Sequence, residues 1–181
     1  MNIAHACVAA SLALVYLPRF FVVAPASAYD AKGMLAAAIH DPDPVLFLEP
    51  LKGYRLVKDE VPDDRYEVPL GKLRVMRQGR DVTLIAWSAA SVMVNQAAGQ
   101  LAQQGIDCEV LDLRSLKPWD EEAVLSSVAK TGRLVVVHEA SRTCGIGAEI
   151  AATVAEKAFS ALRAPITRIT GPDAPAPSSY A

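Results

Sequence analysis

The stretch CEVLDLRSLKPWDEEAVLSSVAKTGRLVVVHEA, residues 108–140, carries the pattern that decides the fold. Cys108–Leu111 reads as a strand, and Leu134–His138 as a continuous apolar one that closes on a polar tip. Between them Pro118 and Asp120 open a helical segment that runs to about Ala129, with Asp120 as its N-cap. A strand, a helix and a second strand predict a parallel pair joined by a crossover. Strands with no polar alternation are buried on both faces.

The same alternation continues in both directions. Downstream, Ala148–Leu162 reads as a helix with Ile150, Val154 and Ala158 on one face, and Ile166–Ile169 as a last strand. Upstream, Val92–Gln104 is an amphipathic helix ended by Gly105. Leu73–Gln78 and Val82–Ala86 flank Gly79-Arg80-Asp81 and read as a hairpin. Further back come a strand at Phe20–Val23, a loop at Ala24–Ala28, a helix at Tyr29–Ile39 and a strand at Val45–Leu48. Leu35, Ala38 and Ile39 share one face of that helix. From Glu49 to Pro69 the chain mixes Pro, Gly and charge with no period, as a surface linker does. The expected fold class is therefore α/β, a three-layer α/β/α domain with a mostly parallel sheet. The expected division is 1–50, a linker at 51–68, and 69–181.

Composition limits what such a chain can do. Its 181 residues carry 18 Lys+Arg against 20 Asp+Glu and are 52% hydrophobic, so a core can form. A net charge of −2 offers no electrostatic reason for nucleic acid or an anionic membrane as partner. Cys7, Cys108 and Cys144 are odd in number and widely spaced, which suggests neither a disulfide framework nor a zinc site. A cytoplasmic, reduced protein is expected. The apolar run Ala6–Leu17 and the small residues Ala26-Ser27-Ala28 imitate a secretory leader. However, Met1–His5 has no Lys or Arg, and Pro18-Arg19 interrupts the run. The run is also short of the roughly 20 residues that a membrane span requires.

Three places carry possible chemistry. Cys144-Gly145-Ile146-Gly147 opens a helix as a dinucleotide-binding turn would, but Ile150 stands where the third glycine belongs. Glycines that simply let the loop turn explain it equally. His138, with Glu139, ends a buried parallel strand, where open α/β sheets place their ligands; it is a weak catalytic candidate beside a plain structural histidine. Asp41-Pro42-Asp43-Pro44 follows a helix end, and two carboxylates with free carbonyls could hold a hard cation. A proline-braced turn satisfied by its own Asp side chains is the simpler alternative. Trp87 and Trp119 read as core or interface anchors.

Several ordered blocks together resemble a known family. VVAPASAYDAKGMLAAAIHDPDPVLFLEP (22–50), DVTLIAWS (81–88), the opening stretch and GAEIAATV (147–154) are similar to the beta subunit of thiamine-diphosphate-dependent 2-oxo acid dehydrogenases of the pyruvate, branched-chain and acetoin types. The resemblance spans roughly residues 20–177 and places the leader-like site inside a matching block. It implies the remnant of a pyrimidine-binding domain at 1–50 and a transketolase C-terminal-like domain at 69–181. It also implies oxidative decarboxylation with acyl transfer to lipoamide. The expected partners are an alpha subunit, a second beta subunit and a dihydrolipoyl acyltransferase core.

Thiamine diphosphate would be shared with the alpha subunit. The cofactor-activating Glu and the His-containing block of the family match nothing here, and His5 receives no role. Catalytic incompleteness of the isolated chain follows as an expectation. A structural potassium ion is implied at the turn, with Ala38 and Ile39 offering backbone carbonyls and Asp41 and Asp43 side chains. HEA (138–140) leans toward branched-chain members, GPDAP (171–175) toward pyruvate or acetoin types. A non-catalytic assembly module and a nucleotide-binding domain stand as alternatives. Apolar surface left open, including the Ala6–Leu17 run, predicts self-association.

Overall fold

The computed structural model describes residues 19–50 and 58–174. The Ala6–Leu17 run and His5, part of the linker and the last seven residues lie outside the described residues. In chain order the elements are β1 (Phe21–Val23), α1 (Ala28–His40), β2 (Val45–Phe47), β3 (Arg74–Arg77), β4 (Val82–Ala86) and α2 (Ala89–Ala102). They continue as β5 (Cys108–Asp112), β6 (Ser115–Lys117), α3 (Glu121–Thr131), β7 (Leu134–Ser141), α4 (Ile146–Lys157), a 3-10 turn at Phe159–Ala161 and β8 (Thr167–Gly171).

The main sheet has the order β3-β5-β4-β7-β8. β4 runs parallel to β5 and β7, and β7 parallel to β8; only β3 is antiparallel. Alternation along the strands builds two cores. Ile85, Leu111, Val136 and Leu134 turn to α3 and α4, meeting Val124, Val128, Ile150 and Val154. Leu84, Ala86, Cys108 and Val110 turn the other way and pack on Ala90, Val94 and Ala98 of α2. This is the expected three-layer α/β/α arrangement with a mostly parallel sheet. Trp87 and Trp119 pack against the first core, as anchors should. Ile150 is fully buried at the centre of that core, and Ile150→Ala is expected to cost about 2–5 kcal/mol in urea unfolding.

One expectation fails, one holds in position only, and one strand goes unread. Leu73–Gln78 and Val82–Ala86 do not form a hairpin, because β5 lies between β3 and β4. Gly79 permits this: a Cβ there would stand 2.2 Å from the backbone carbon of Cys108, so the connection lies directly on β5. Asp120 occupies the N-cap position of α3 but makes no cap hydrogen bond. Its carboxylate instead accepts from Leu73 N and Lys72 Nζ, both at 3.4 Å. The unread strand is β6, which the polar residues SLK hide.

β6 joins the smaller sheet, β2-β1-β6, antiparallel to β1, while β1 and β2 run parallel. α1 covers that sheet with Met34, which meets Val23 and Val68. Its other face is open: Leu35 is 47% and Ile39 73% exposed.

Candidate functional site

The connections leave β4 and β7 toward opposite faces of the sheet, β4 into α2 and β7 into α4. The crevice between their carboxyl ends is therefore the topological switch point, the place where open α/β sheets receive ligands. Trp87 directly follows β4, and His138 lies in the last turns of β7 just before an irregularity in its pairing with β8. Their rings stack across the crevice, centroids 5.1 Å apart and 18° from parallel. His138 points to the α4 side, shares the parity of Leu134 and Val136, and is 3% exposed.

Neither ring nitrogen of His138 makes a hydrogen bond of good geometry, although the Ala140 backbone lies close by. Burial holds its pKa below the ordinary histidine value; the Ala140 backbone opposes that shift and the charge of Arg168 adds to it. A neutral histidine buried this way binds fewer protons than the unfolded chain. Its contribution to stability is complete above about pH 6.5 and is lost as pH falls below that value. Among the described residues no nucleophile or carboxylate engages the ring.

Gly145 and Gly147 explain themselves through this ring. A Cβ on Gly147 would lie 2.6 Å from His138 Nε2, and one on Gly145 would lie 2.9 Å from its Cε1. The pair makes room for an imidazole where a dinucleotide loop would leave room for a pyrophosphate. Ile150, at the third-glycine position, is core.

The turn after α1 has mixed character. Asp41 Oδ1 accepts from Asp43 N at 2.9 Å, as a self-satisfied turn would. The Asp41 amide closes on Ala37 O at 3.0 Å. The next helical carbonyl, Ala38, would need an N–H from residue 42, which is proline. Ile39 would need that of Asp43, already committed to Asp41. Two carbonyls and two carboxylates thus gather at one helix end, a donor set suited to a hard cation. Arg19 Nε, 3.7 Å from Asp43 Oδ2, is the cation beside it in this structure.

A third cluster joins the small sheet to the large one. Asp30, 1% exposed, takes Arg114 Nη1 at 2.7 Å, Arg74 Nη1 at 3.2 Å and the Ser27 hydroxyl at 2.8 Å. Ser27 in turn caps α1 by accepting from Asp30 N at 3.0 Å. Arg114 has a left-handed backbone, φ 55, and also donates to Lys72 O and Leu73 O. Sequence reading missed this cluster; the S-x-x-D spacing of Ser27 and Asp30, a capping signature, was the available signal.

A groove of about 320 Å³ opens at the carboxyl ends of β1 and β2, against the start of α1. Pro25, Ala26, Leu35 and Phe47 make it chiefly apolar, and Lys32 is its cation. Lys32 Nζ is spent on the carbonyls of Pro62, Asp63 and Asp64. No group of three metal-ligating His, Cys, Asp or Glu side chains occurs among the described residues.

Comparison with known proteins agrees with this architecture. The chain is 48% identical over 162 residues to the 2-oxoisovalerate dehydrogenase subunit beta 2 of Arabidopsis thaliana, covering 90% of this chain and 45% of that one. It is 49% identical over 163 residues to an acetoin:2,6-dichlorophenolindophenol oxidoreductase subunit beta of Bacillus subtilis, with 90% and 47% covered. It is also 48% identical over 161 residues to a pyruvate dehydrogenase E1 component subunit beta of Acholeplasma laidlawii, with 89% and 49% covered. The chain thus spans about half the length of these curated relatives. A solved structure described as a split gene transketolase, inactive beta4 tetramer, superposes with a TM-score of 0.76 at 29% identity. That match covers 93% of this chain and 53% of the other. The sequence profile for the transketolase C-terminal domain matches residues 71–181, which take in the main sheet, the switch-point crevice and all of α2 to α4; the chain belongs to the transketolase C-terminal domain family.

Proposed function

We propose that this chain acts in the beta subunit of the first component of a 2-oxo acid dehydrogenase complex. The reaction would be oxidative decarboxylation of pyruvate or a branched-chain 2-oxo acid, with the acyl group passed to lipoamide. The observation that carries this is the identity of 48–49% over about nine-tenths of the chain to relatives named for 2-oxoisovalerate, acetoin and pyruvate. Because those relatives differ in substrate, the likeness supports the reaction class above any one 2-oxo acid.

In this reading residues 1–50 belong to a pyrimidine-binding unit, 51–68 are a linker, and 69–181 form the transketolase C-terminal-like domain. Thiamine diphosphate supplies the carbanion chemistry when bound, shared in the complex with an alpha subunit. A second beta subunit and a dihydrolipoyl acyltransferase core are the remaining partners, in the cytoplasm. Neither nucleic acid nor membrane has a role. His138 stands as a weak catalytic candidate beside a structural role.

Supplied with a matching alpha subunit, thiamine diphosphate and the beta-subunit residues that carry the cofactor-activating Glu, the chain is expected to support 2-oxo acid-dependent reduction of an artificial acceptor. The 181 residues alone are expected to give none. Turnover by the chain alone would contradict the shared-site reading. Tight nicotinamide binding without alpha-subunit association would favour a nucleotide-binding domain instead.

Potassium is proposed at Ala38 O, Ile39 O, Asp41 and Asp43, supported by two carbonyls without helical donors: Pro42 has no N–H for Ala38 O, and the Asp43 amide that would serve Ile39 O is given to Asp41. Potassium in place of sodium is expected to raise Tm, and Asp41→Asn to abolish that increment. An increment that survives Asp41→Asn removes the ion from this turn.

The second reading is a non-catalytic assembly module. It is favoured by the open apolar face of α1 at Leu35 and Ile39, and by the neighbour described as an inactive tetramer of beta subunits. Sedimentation at micromolar concentration is expected to show a dimer or larger species. A 19.3 kDa monomer indifferent to alpha subunit removes both partner proposals.

A further inference from the structure

Two independent features meet at the amino end of α4. The first is a helix terminus with no side-chain cap: its N-cap is Gly145, and no hydroxyl or carboxylate closes the first turn. Ala148 N turns back onto Gly145 O at 2.9 Å, while the amides of Ile146 and Gly147, first in the helix, have no intrahelical acceptor. The second is His138, 3% exposed, with neither ring nitrogen in a hydrogen bond of good geometry and the edge bearing Nε2 pressed against that same turn. A buried polar group without a partner is costly, and such groups in native proteins mark a place where something else binds.

The surroundings set the sign of what binds. Arg168 lies on β8 opposite Val136, and Arg142 stands in the loop before α4. Each guanidinium donates to the other's backbone carbonyl rather than to a carboxylate, at 3.2–3.3 Å. The carboxylate of Asp173 is occupied by Thr143, which donates its amide at 2.9 Å and its hydroxyl at 2.8 Å. Glu139 and Glu149 are exposed, and Trp87 and Ser88 on the β4 side carry no charge. Open amides, an imidazole donor and two arginines favour a small oxyanion.

We propose that the switch-point crevice between β4 and β7 is an anion site, taking inorganic phosphate or a phosphate ester on the first-turn amides of α4, with His138 as the buried donor beneath it. A neutral imidazole has one N–H to give, so no proton need enter from solvent for the contact to form. Trp87 fixes the ring plane by stacking and supplies an apolar wall for the remainder of an ester. The site is separate from the cation turn after α1 and independent of the assignment to 2-oxo acid chemistry.

The test uses the full 181-residue chain, labelled with ¹⁵N in histidine, and inorganic phosphate as the probe against chloride at equal ionic strength. Only three histidines contribute, and the His138 signals are identified by their loss in His138→Phe. Phosphate is expected to shift both His138 ring nitrogens saturably, with millimolar affinity, and to raise Tm. His138→Phe is expected to weaken phosphate binding at least tenfold while melting no lower than the parent chain in chloride, since it removes an unsatisfied polar group. His138 signals that do not respond to phosphate overturn the proposal, as does equal stabilisation of the His138→Phe chain, which would place the anion on the surface arginines. Should that variant fail to fold, the parent chain's histidine spectra decide alone. A buried water in the crevice predicts no phosphate dependence at all.

Discussion

Asp30→Ala is expected to lower the free energy of unfolding by about 3–5 kcal/mol, the usual consequence of stripping one partner from a buried ion pair. Asp30 is the hub that holds α1 and the small sheet to the strand β3 and to the loop after β5. Its carboxylate receives Arg114 at 2.7 Å, Arg74 at 3.2 Å and the Ser27 hydroxyl at 2.8 Å, and it is 1% exposed. Arg114 is itself buried, so removing the carboxylate leaves a guanidinium out of water with only the carbonyls of Lys72 and Leu73. That uncompensated charge dominates the loss; the capping bond of Ser27 to the Asp30 amide survives the substitution. Asp30→Asn keeps an acceptor but no charge and should fall between the two. Urea unfolding of the three chains measures the order, and an Asp30→Ala chain within 1 kcal/mol of the parent would refute the hub role.

Asp112→Asn is expected to stabilise the protein at pH 8, an unusual direction for a core substitution. Asp112 ends β5, is 1% exposed, and accepts from the Ser91 hydroxyl at 2.8 Å. Burial pushes its pKa up to about 7, with the charge of Asp30 adding; the Ser91 hydrogen bond and Arg114 hold it back. The unfolded carboxyl titrates near 3.9, so between about pH 4 and pH 7 the folded chain retains a proton that the unfolded chain releases. The stability due to that proton is complete below pH 4 and is lost as pH rises through 7. Three pH units correspond to roughly 4 kcal/mol. An asparagine cannot ionise, so the difference between variant and parent should grow over that window and level off above it. His138 acts in the opposite sense below pH 6.5 but is common to both chains and cancels in the difference. A difference that does not vary between pH 4.5 and 8 would show that Asp112 ionises freely in the folded state.

The strands that read most clearly, Leu134–His138 and Cys108–Leu111, are central strands buried on both faces, where apolar residues dominate and Glu109 is the partnered exception. Observed boundaries there differ by one to three residues, since β7 runs on through Glu139–Ser141 at the sheet edge. The helices were legible for a related reason: Ile150, Val154 and Ala158 repeat at helical spacing because one face meets the sheet. α1 was legible as a helix but not in its orientation. Leu35 and Ile39 share an apolar face that stays open, while the buried face is made by Asp30, Gly33 and Met34.

Local sequence, then, determined the layered α/β architecture, the parallel core strands and the family to which the chain belongs, because periodicity and ordered blocks are written residue by residue. Tertiary structure alone decided which strands are neighbours. Nothing in Gly79-Arg80-Asp81 says that β5, thirty residues on, will enter between β3 and β4, because strand order is set by long-range packing rather than by the turn. The same holds for the sites. Asp30 and Arg114 are 84 positions apart and meet in one buried pair, and Trp87 and His138 face each other only because β4 and β7 lie side by side. A lone histidine in the sequence carried little information. What distinguishes it is the absence of a well-formed hydrogen bond at the mouth of an uncapped helix, a property of its surroundings that no residue possesses by itself.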